Sequence, residues 1–424
     1  MTNNQNYPRE FDAVRGGETP PPVQGAVLGG IEGVKQRLAS SVFETRVAAL
    51  SEALNYGEAG LDLVIKALED KSRKVQKTAT SLLRIREENQ AKIALHNFKF
   101  WTDFEKLNGL ANGYAKKFVN RKVIEFDGKN SVNDTVNAAY ALRTVSKWSS
   151  TYTMREAQMN NTQKKLKKLL QDSRATEVEA LVFGLWTDDS TSASIVNALV
   201  EAGEKLTSLK AVFIGDIEDS EDMISSIVQS NLSPILEAYP NLEVLQVRGS
   251  NPLWLGYAAL QFSPALKHEN LKTLIVESGG LSRLSINQIC ELELPALEYL
   301  ELWLGSDNYG GDSSINDLMP IISGVFPKLK YLGLRNSEYS DDIAFAIVNS
   351  PIIENLVELD FSMGTLGDDG AEALLNCPAI NYLDTLNVSD NCLTYWMMER
   401  LNELDIEVII GEQNPDERYC SVAE

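Results

Sequence analysis

The chain has 424 residues, a formal net charge of −21 and 44% apolar residues, so it can bury a core and is not a disordered chain. No apolar run approaches the ~18 residues of a membrane span, and the first residues lack the order of a secretory signal. Four scattered cysteines without a CxxC pair indicate reduced thiols. Two histidines leave little material for a zinc site or a catalytic triad. We therefore expect a cytoplasmic protein.

The net negative charge of the chain comes from its second part. Residues 1–177 contain 28 Lys and Arg against 20 Asp and Glu, whereas residues 178–424 contain 11 against 40. An acidic domain repels nucleic acids and attracts basic surfaces. The composition therefore predicts a protein partner with a basic surface, no nucleic acid at the acidic part and no membrane span. It leaves the oligomeric state open.

Residues 1–28 are rich in Gly and Pro and have no apolar periodicity, which predicts a flexible tail. Residues 29–110 repeat apolar positions at a spacing of about 3.6, which predicts a small all-α module that ends in a helix over HNFKFWTDFEKL. Within it, Thr45–Ala49 and Val75–Ala79 have the V-R-x-x-A character of HEAT repeats. The segment PPPVQGAVLGGIEGVKQRLAS resembles a module of cyanobacterial proteins, and the resemblance covers about residues 8–100. That resemblance implies an adaptor and no activity.

Residues 111–177 are predicted to cap the domain that follows. Residues 122–126 have the pattern of a strand, and residues 136–148 fit either a helix or a strand. The stretch TQKKLKKLLQDS predicts a basic amphipathic helix. Its leucines can cover the open first repeat, while its lysines leave a membrane or an acidic partner as the alternative.

Residues 178–424 contain a repeated sequence motif. Segments 356–366 and 383–393 both fit L-x-x-L-x-L-x-x-N-x-L, with Gly364 and Asn391 at the Asn position. Spacings of 26 to 33 residues between units leave room for a strand and a helix in each. The pattern predicts an α/β solenoid, namely a leucine-rich-repeat horseshoe with a parallel sheet inside and helices outside. The anchoring residues are Leu209, Leu242, Leu271, Leu297, Leu329, Leu356 and Leu383.

Several phrases of this part, among them VFIGDIEDSE, LPALEYLELWLGSDNYGGD and RYCSVAE, resemble a bacterial leucine-rich-repeat family of uncharacterised function. The resemblance covers about residues 118–424. It implies no enzyme activity and brings no catalytic residues.

Between the leucines, alternate residues of each strand should face the concave surface. Parallel register then predicts that Arg248 pairs with Glu277 and that Arg335 lies over Trp303. Exposed Trp and Arg are favoured at interface hot spots, although a ladder of mutually satisfied side chains is the alternative. The candidate protein-binding residues are Arg248, Glu277, Tyr299, Glu301, Trp303, Tyr331, Arg335 and Asp360.

Signatures of catalysis are missing from the sequence: there is no P-loop, GxSxG, HExxH or correctly placed GxGxxG. The Gly- and Asp-rich loop 304–312 fits a polar loop better than a calcium site. The acidic pairs at 188–189, 341–342 and 368–369 suit helix starts, and Cys420 has no histidine partner. We expect a non-enzymatic scaffold without cofactor or metal. The alternatives are a regulatory subunit or sensor module in bacterial stress or defence, and an enzyme subunit that binds a metal or a basic substrate.

Overall fold

The structure is a computed structural model that describes residues 30–70, 72–97, 113–143, 161–186, 191–250 and 260–422. The predicted tail at residues 1–28 and most of the predicted helix HNFKFWTDFEKL lie outside these ranges. Within them, no helix is long and apolar enough to cross a membrane.

Residues 30–97 form a helical module with its own core. Its helices are α1 (Gly30–Leu38), α2 (Phe43–Ala53), α3 (Gly57–Lys66), α4 (Arg73–Arg84) and α5 (Asn89–Asn97). Their apolar faces bury Val34, Leu50 and Leu83, as the periodicity predicts. The buried guanidinium of Arg46 donates two hydrogen bonds of 3.1 Å to Asp70 and so ties α2 to the turn before α4.

The rest of the described chain forms one twelve-stranded sheet, in which the strands follow chain order. Only β1 and β2 are antiparallel, and every later pair is parallel. The strands are β1 (Lys117–Phe118), β2 (Arg121–Glu125), β3 (Ala138–Leu142), β4 (Ala180–Phe183), β5 (Ala211–Ile214), β6 (Val244–Arg248), β7 (Thr273–Glu277), β8 (Tyr299–Gly305), β9 (Tyr331–Ser337), β10 (Glu358–Asp360), β11 (Thr385–Asn387) and β12 (Glu407–Ile409). The predicted cap strand at 122–126 is therefore present, and the ambiguous segment at 136–148 contains a strand.

Helices connect the parallel strands and pack against one side of the sheet. They are α6 (Asn161–Leu169), α7 (Ala193–Glu201), α8 (Ser233–Ala238), α9 (Arg283–Cys290), α10 (Ile315–Ile322), α11 (Ser340–Ile347), α12 (Asp368–Leu375) and α13 (Tyr395–Asn402). The seven anchoring leucines are all buried in the core between helices and sheet. This is an α/β solenoid-like fold. Leu166 and Leu169 of the basic helix α6 belong to the same core.

Asn391 shows why the repeat motif has an asparagine, with its side-chain amide, at the turn after the strand. Its Nδ2 donates to the carbonyls of Phe361, Val388 and Ser389 at 3.0–3.1 Å, and its Oδ1 accepts from the amide of Leu366 at 2.8 Å. One buried side chain thus bonds to four backbone groups of two adjacent repeats. The carbonyls of Val388 and Ser389 also accept from Gln413 Nε2 and the Met363 amide, so among the described contacts the Leu366 amide and the Phe361 carbonyl are the groups that depend on Asn391.

Replacing Asn391 by Ala should therefore lower the free energy of unfolding by about 1–3 kcal/mol. Asn402→Ala, at an exposed position of the same region, should change it little. Urea denaturation followed by circular dichroism measures both. Equal stability of the two variants would show that the amide does not hold the turn.

The helical module bridges the two ends of the sheet. At one end of α4, Ser72 Oγ donates to Asp384 Oδ2 at 2.5 Å and Lys74 Nζ lies 3.3 Å from Glu407, so this end contacts the starts of β11 and β12. At its other end, a cavity of about 630 Å³ separates Thr80 and Arg86 from residues at the starts of β2 and β3. A helix of this length spans only ~18 Å. The nine strand steps from β2 to β11 cover ~43 Å along the sheet, so the sheet must curve strongly.

Charge reversal at Glu407 tests this bridge. Glu407→Lys places two cations together where Lys74 now pairs, so the backbone amides of residues 72–84 should exchange with deuterium faster. Glu354→Lys, an exposed change away from α4, should leave their exchange rates unaltered. If both variants exchange like the original chain, the contact does not hold the module in place.

Candidate functional site

The register of the sheet brings the predicted binding residues together. Arg248 lies beside Glu277, Trp303 beside Arg335, and Tyr299 beside Tyr331. Arg248 Nε donates to Glu277 Oε2 at 2.7 Å, and the Arg335 guanidinium lies 5.1 Å from the centre of the Trp303 ring. Both predicted pairings are confirmed.

Glu301 is the centre of the larger of two networks. Its Oε1 accepts from Trp303 Nε1 at 2.8 Å and from Arg335 Nη1 at 2.7 Å. Its Oε2 accepts from the hydroxyl of Tyr299 at 2.6 Å and from that of Tyr331 at 3.1 Å. A carboxylate offers about four acceptor positions, so these donors from β8 and β9 occupy all of them.

Asp360 extends this network onto β10 and β11. Its Oδ2 accepts from Tyr331 at 3.0 Å and from Asn387 Nδ2 at 2.9 Å, while its Oδ1 lies 3.6 Å from Arg335 Nε. The Tyr331 hydroxyl carries one hydrogen and faces two carboxylates, so it links Glu301 and Asp360. The Tyr331 ring stacks on Tyr299 with centroids 3.8 Å apart, which holds the hydroxyl in place.

The smaller network surrounds the ion pair of Arg248 and Glu277. Gln246 Nε2 donates to Glu277 Oε1 at 2.8 Å, and Arg248 Nη1 donates to the carbonyl of Ile217 at 3.1 Å. The Arg248 guanidinium also lies 5.4 Å from the centre of the Phe213 ring. These contacts anchor the connection after β5 to the inner face of the sheet.

The sequence analysis expected the candidate side chains to be exposed, and this expectation is wrong. None is more than 4% exposed to solvent. The residues concerned are Arg248, Glu277, Tyr299, Glu301, Trp303, Tyr331, Arg335 and Asp360.

Distant segments of the chain cover the inner face. Ile224, from the connection after β5, packs with Trp303, Met363 and Val422 in one apolar cluster. Val422 belongs to the carboxy-terminal segment, where its amide donates to Asn336 Oδ1 at 2.9 Å and its carbonyl accepts from Asn336 Nδ2 at 2.5 Å. The concave surface is therefore a closed interior at these positions.

Burial and neighbouring charges fix the protonation of the network. Burial, together with Asp360 and Glu301, raises the pKa of Tyr331 well above its usual value, so its hydroxyl stays neutral. Burial alone disfavours the Arg335 guanidinium, but Glu301 and Asp360 outweigh it and raise the pKa of Arg335. Burial raises the pKa of Glu277, against the opposing effect of Arg248. Arg335 therefore stays charged between Glu301 and Asp360.

The other predicted sites have structural roles where they are described. In loop 304–312, Asp312 Oδ1 accepts from the amide of Arg283 at 2.7 Å, as befits a polar loop. The acidic pairs at 341–342 and 368–369 occupy the first turns of α11 and α12, while 188–189 lies outside the described residues. Burial raises the pKa of the Cys420 thiol to about 12, which disfavours a thiolate. In the described part of the chain, no three His, Cys, Asp or Glu residues are grouped to hold a metal ion.

A second buried ion network escaped the sequence analysis. Arg143 Nε donates to Asp216 Oδ2 at 2.7 Å, and Lys165 Nζ donates to Glu125 at 2.5 Å and to the carbonyl of Arg143 at 2.6 Å. These residues join β2, β3 and β5 to the cap helix α6. These residues do not recur at equivalent positions of successive repeats. In the sequence, only the position of Lys165 on the apolar side of α6 could have indicated this network.

Comparison with known proteins supports the fold. No family model and no curated protein matches the chain. The chain is similar to a protein from Bacteroides fragilis known from its crystal structure, with 29% identity and a TM-score of 0.57. The similarity covers 66% of this chain and 78% of the other.

Arg335 is the residue on which the larger network depends most. Arg335→Met removes the buried guanidinium between Glu301 and Asp360, so the free energy of unfolding should fall by about 3–5 kcal/mol. The control is Arg400→Met, which breaks a partly exposed pair with Glu372 and should cost less. Chemical denaturation of both variants measures the difference. Similar losses would mean that the buried charges contribute no more than surface charges do.

Proposed function

We propose that the chain is a non-enzymatic scaffold that binds a basic protein, built as a leucine-rich-repeat solenoid preceded by a HEAT-like module. This is the function expected from the sequence, but with a different contact surface. Because the inner-face side chains are buried, substitutions such as Trp303→Ala would test folding and not binding. The outer, acidic surface of the repeats is the surface available to a partner.

Most basic side chains of the repeats are already paired within the domain. Residues 178–424 contain 11 Lys and Arg, and nine of them lie within 4 Å of a carboxylate of the same region. The carboxylates in excess therefore give the outer surface its negative potential. Such a potential steers and retains a basic partner.

The main support for this proposal is that exposed acidic residues lie at the carboxyl ends of helices, where their charge opposes the helix dipole. The carboxyl end of a helix is negative and favours Lys or Arg, yet α7 ends at Glu201 and α9 and α13 are followed by Glu291 and Glu403. Glu237 is the penultimate residue of α8. All four are exposed. No basic residue lies in the last turn of α7, α8 or α9.

These carboxylates act against local stability, and they recur on four of the outer helices, α7, α8, α9 and α13. A feature that lowers stability and recurs is more simply explained by binding than by folding. The recurring acids form an outer acidic row, made of Glu201, Glu237, Glu291 and Glu403, for which a basic surface is the natural complement.

Neutralising the acidic row should separate stability from binding. Glu291→Gln with Glu403→Gln should raise the melting temperature by roughly 1–2 °C, because the helix dipoles are relieved. The same double variant should recover several-fold less partner from extracts of the protein's own cells. Recovery by the original chain should also fall as salt rises from about 0.05 to 0.5 M.

A matched control removes the same charge at the opposite helix ends. Asp342→Asn with Asp369→Asn changes exposed acids in the first turns of α11 and α12, and should lower the melting temperature. Its partner recovery should fall less than that of the Glu variant. Recovery that is unaffected by salt and by both double variants would contradict a basic partner.

A further inference from the structure

The last repeat leaves one end of the solenoid open. Strand β12 pairs with β11 on one side, and in the described part of the chain no strand pairs along its other edge. The core residues of this last layer are only partly buried, whereas the anchoring leucines of earlier repeats are at most 3% exposed. The partly buried residues are Leu404, Ile406, Val408 and Ile410. An open strand edge beside an incompletely covered core is a site for an added strand.

Aromatic side chains flank this end. Tyr395 and Trp396, at the start of α13, are 73% and 60% exposed. The guanidinium of Arg400 lies 4.6 Å from the centre of the Trp396 ring and holds it against the helix. Tyr, Trp and Arg are the residue types that contribute most at protein interfaces. Because Arg400 restrains Trp396, this ring can bind without a large loss of conformational entropy.

The charge around the open end selects the partner. Exposed carboxylates surround α13 and β12, at Glu399, Glu403, Asp405, Glu407 and Glu412. The basic side chains that contact this end are already paired, Arg400 with Glu372 and Lys74 with Glu407. A second copy of the chain that used the same end face would place the same acids against each other, which is unfavourable. A basic segment would neutralise them.

We propose that the end face formed by α13 and β12 is the docking site for a basic, strand-forming segment of the partner protein. The segment extends the sheet along β12, its apolar side chains cover the open core layer and contact Tyr395 and Trp396, and its Lys and Arg residues pair with the acidic rim. This inference rests on the proposed function and names the part of the acidic surface that recognises the partner.

Site-specific crosslinking in the full-length chain tests the assignment. A photo-reactive benzoylphenylalanine replaces Tyr395 in one version and Phe345, an exposed aromatic on α11, in the matched control. Both are expressed in the protein's own cells, irradiated and analysed by mass spectrometry of the crosslinked peptides. The expected result is a crosslink from position 395 to a Lys- and Arg-rich partner segment with apolar residues, and none of that segment from position 345.

A charge-reversal experiment is the second test of the docking site. Glu399→Lys with Asp405→Lys should weaken binding of the purified partner about tenfold or more, because the rim then repels the basic segment. Glu293→Lys with Glu354→Lys makes the same charge change two or more repeats away and should weaken it less. Unchanged melting temperatures show that the variants are folded.

Four outcomes overturn the inference. One is a crosslink from position 395 to a second copy of the chain, which would make the end face a self-association surface. Another is a partner segment that lacks basic residues. The third is equal weakening by both charge reversals, and the fourth is a partner crosslinked at position 345 instead. In the last two cases the scaffold function stands and only the docking site is wrong. Recovery of no partner by any version would refute the proposed function as well.

Discussion

The inner face of the sheet holds charged side chains away from water, and each has to be matched by neighbouring groups. They include Arg248, Glu277, Glu301, Arg335 and Asp360. Burying an ion costs several kcal/mol unless opposite charge and hydrogen bonds replace its water. Parallel register supplies these replacements, because the same position of successive repeats comes to lie side by side. The network therefore restricts which register and curvature the repeats can adopt, and a shift of one residue would turn these charges into the apolar core.

The spacing of the leucines was enough to predict this register. It placed Arg248 beside Glu277 and Arg335 beside Trp303, because each repeat contributes one strand with the same internal numbering. The exposure of these residues could not be predicted in this way. Ile224 and Val422, which pack with Trp303 on the inner face, lie far from it in sequence and follow no repeat. For the same reason, the exposed pair at Tyr395 and Trp396 carried no periodic signal.

In the scaffold that we propose, stability and recognition use different faces of the solenoid. Inside, polar groups are paired and aromatic rings are stacked, so the side chains are occupied by one another. Outside, carboxylates lie at the ends of helices where they oppose the helix dipole, as at Glu291 and Glu403. The helical module adds a restraint on shape, since Ser72 and Lys74 contact the last strands. A scaffold of fixed curvature can present an acidic outer surface without a new loss of conformational entropy at each binding event.

Hydroxyl-radical footprinting of the free protein tests the closure of the inner face most directly, because the rate of side-chain oxidation follows solvent access. Tyr395 and Trp396 should be oxidised rapidly, while Tyr299, Trp303 and Tyr331 should be protected until the chain is unfolded. Fast oxidation of Trp303 in the folded protein would show that the inner face is open. It would contradict a closed interior and return that face to consideration as the binding surface.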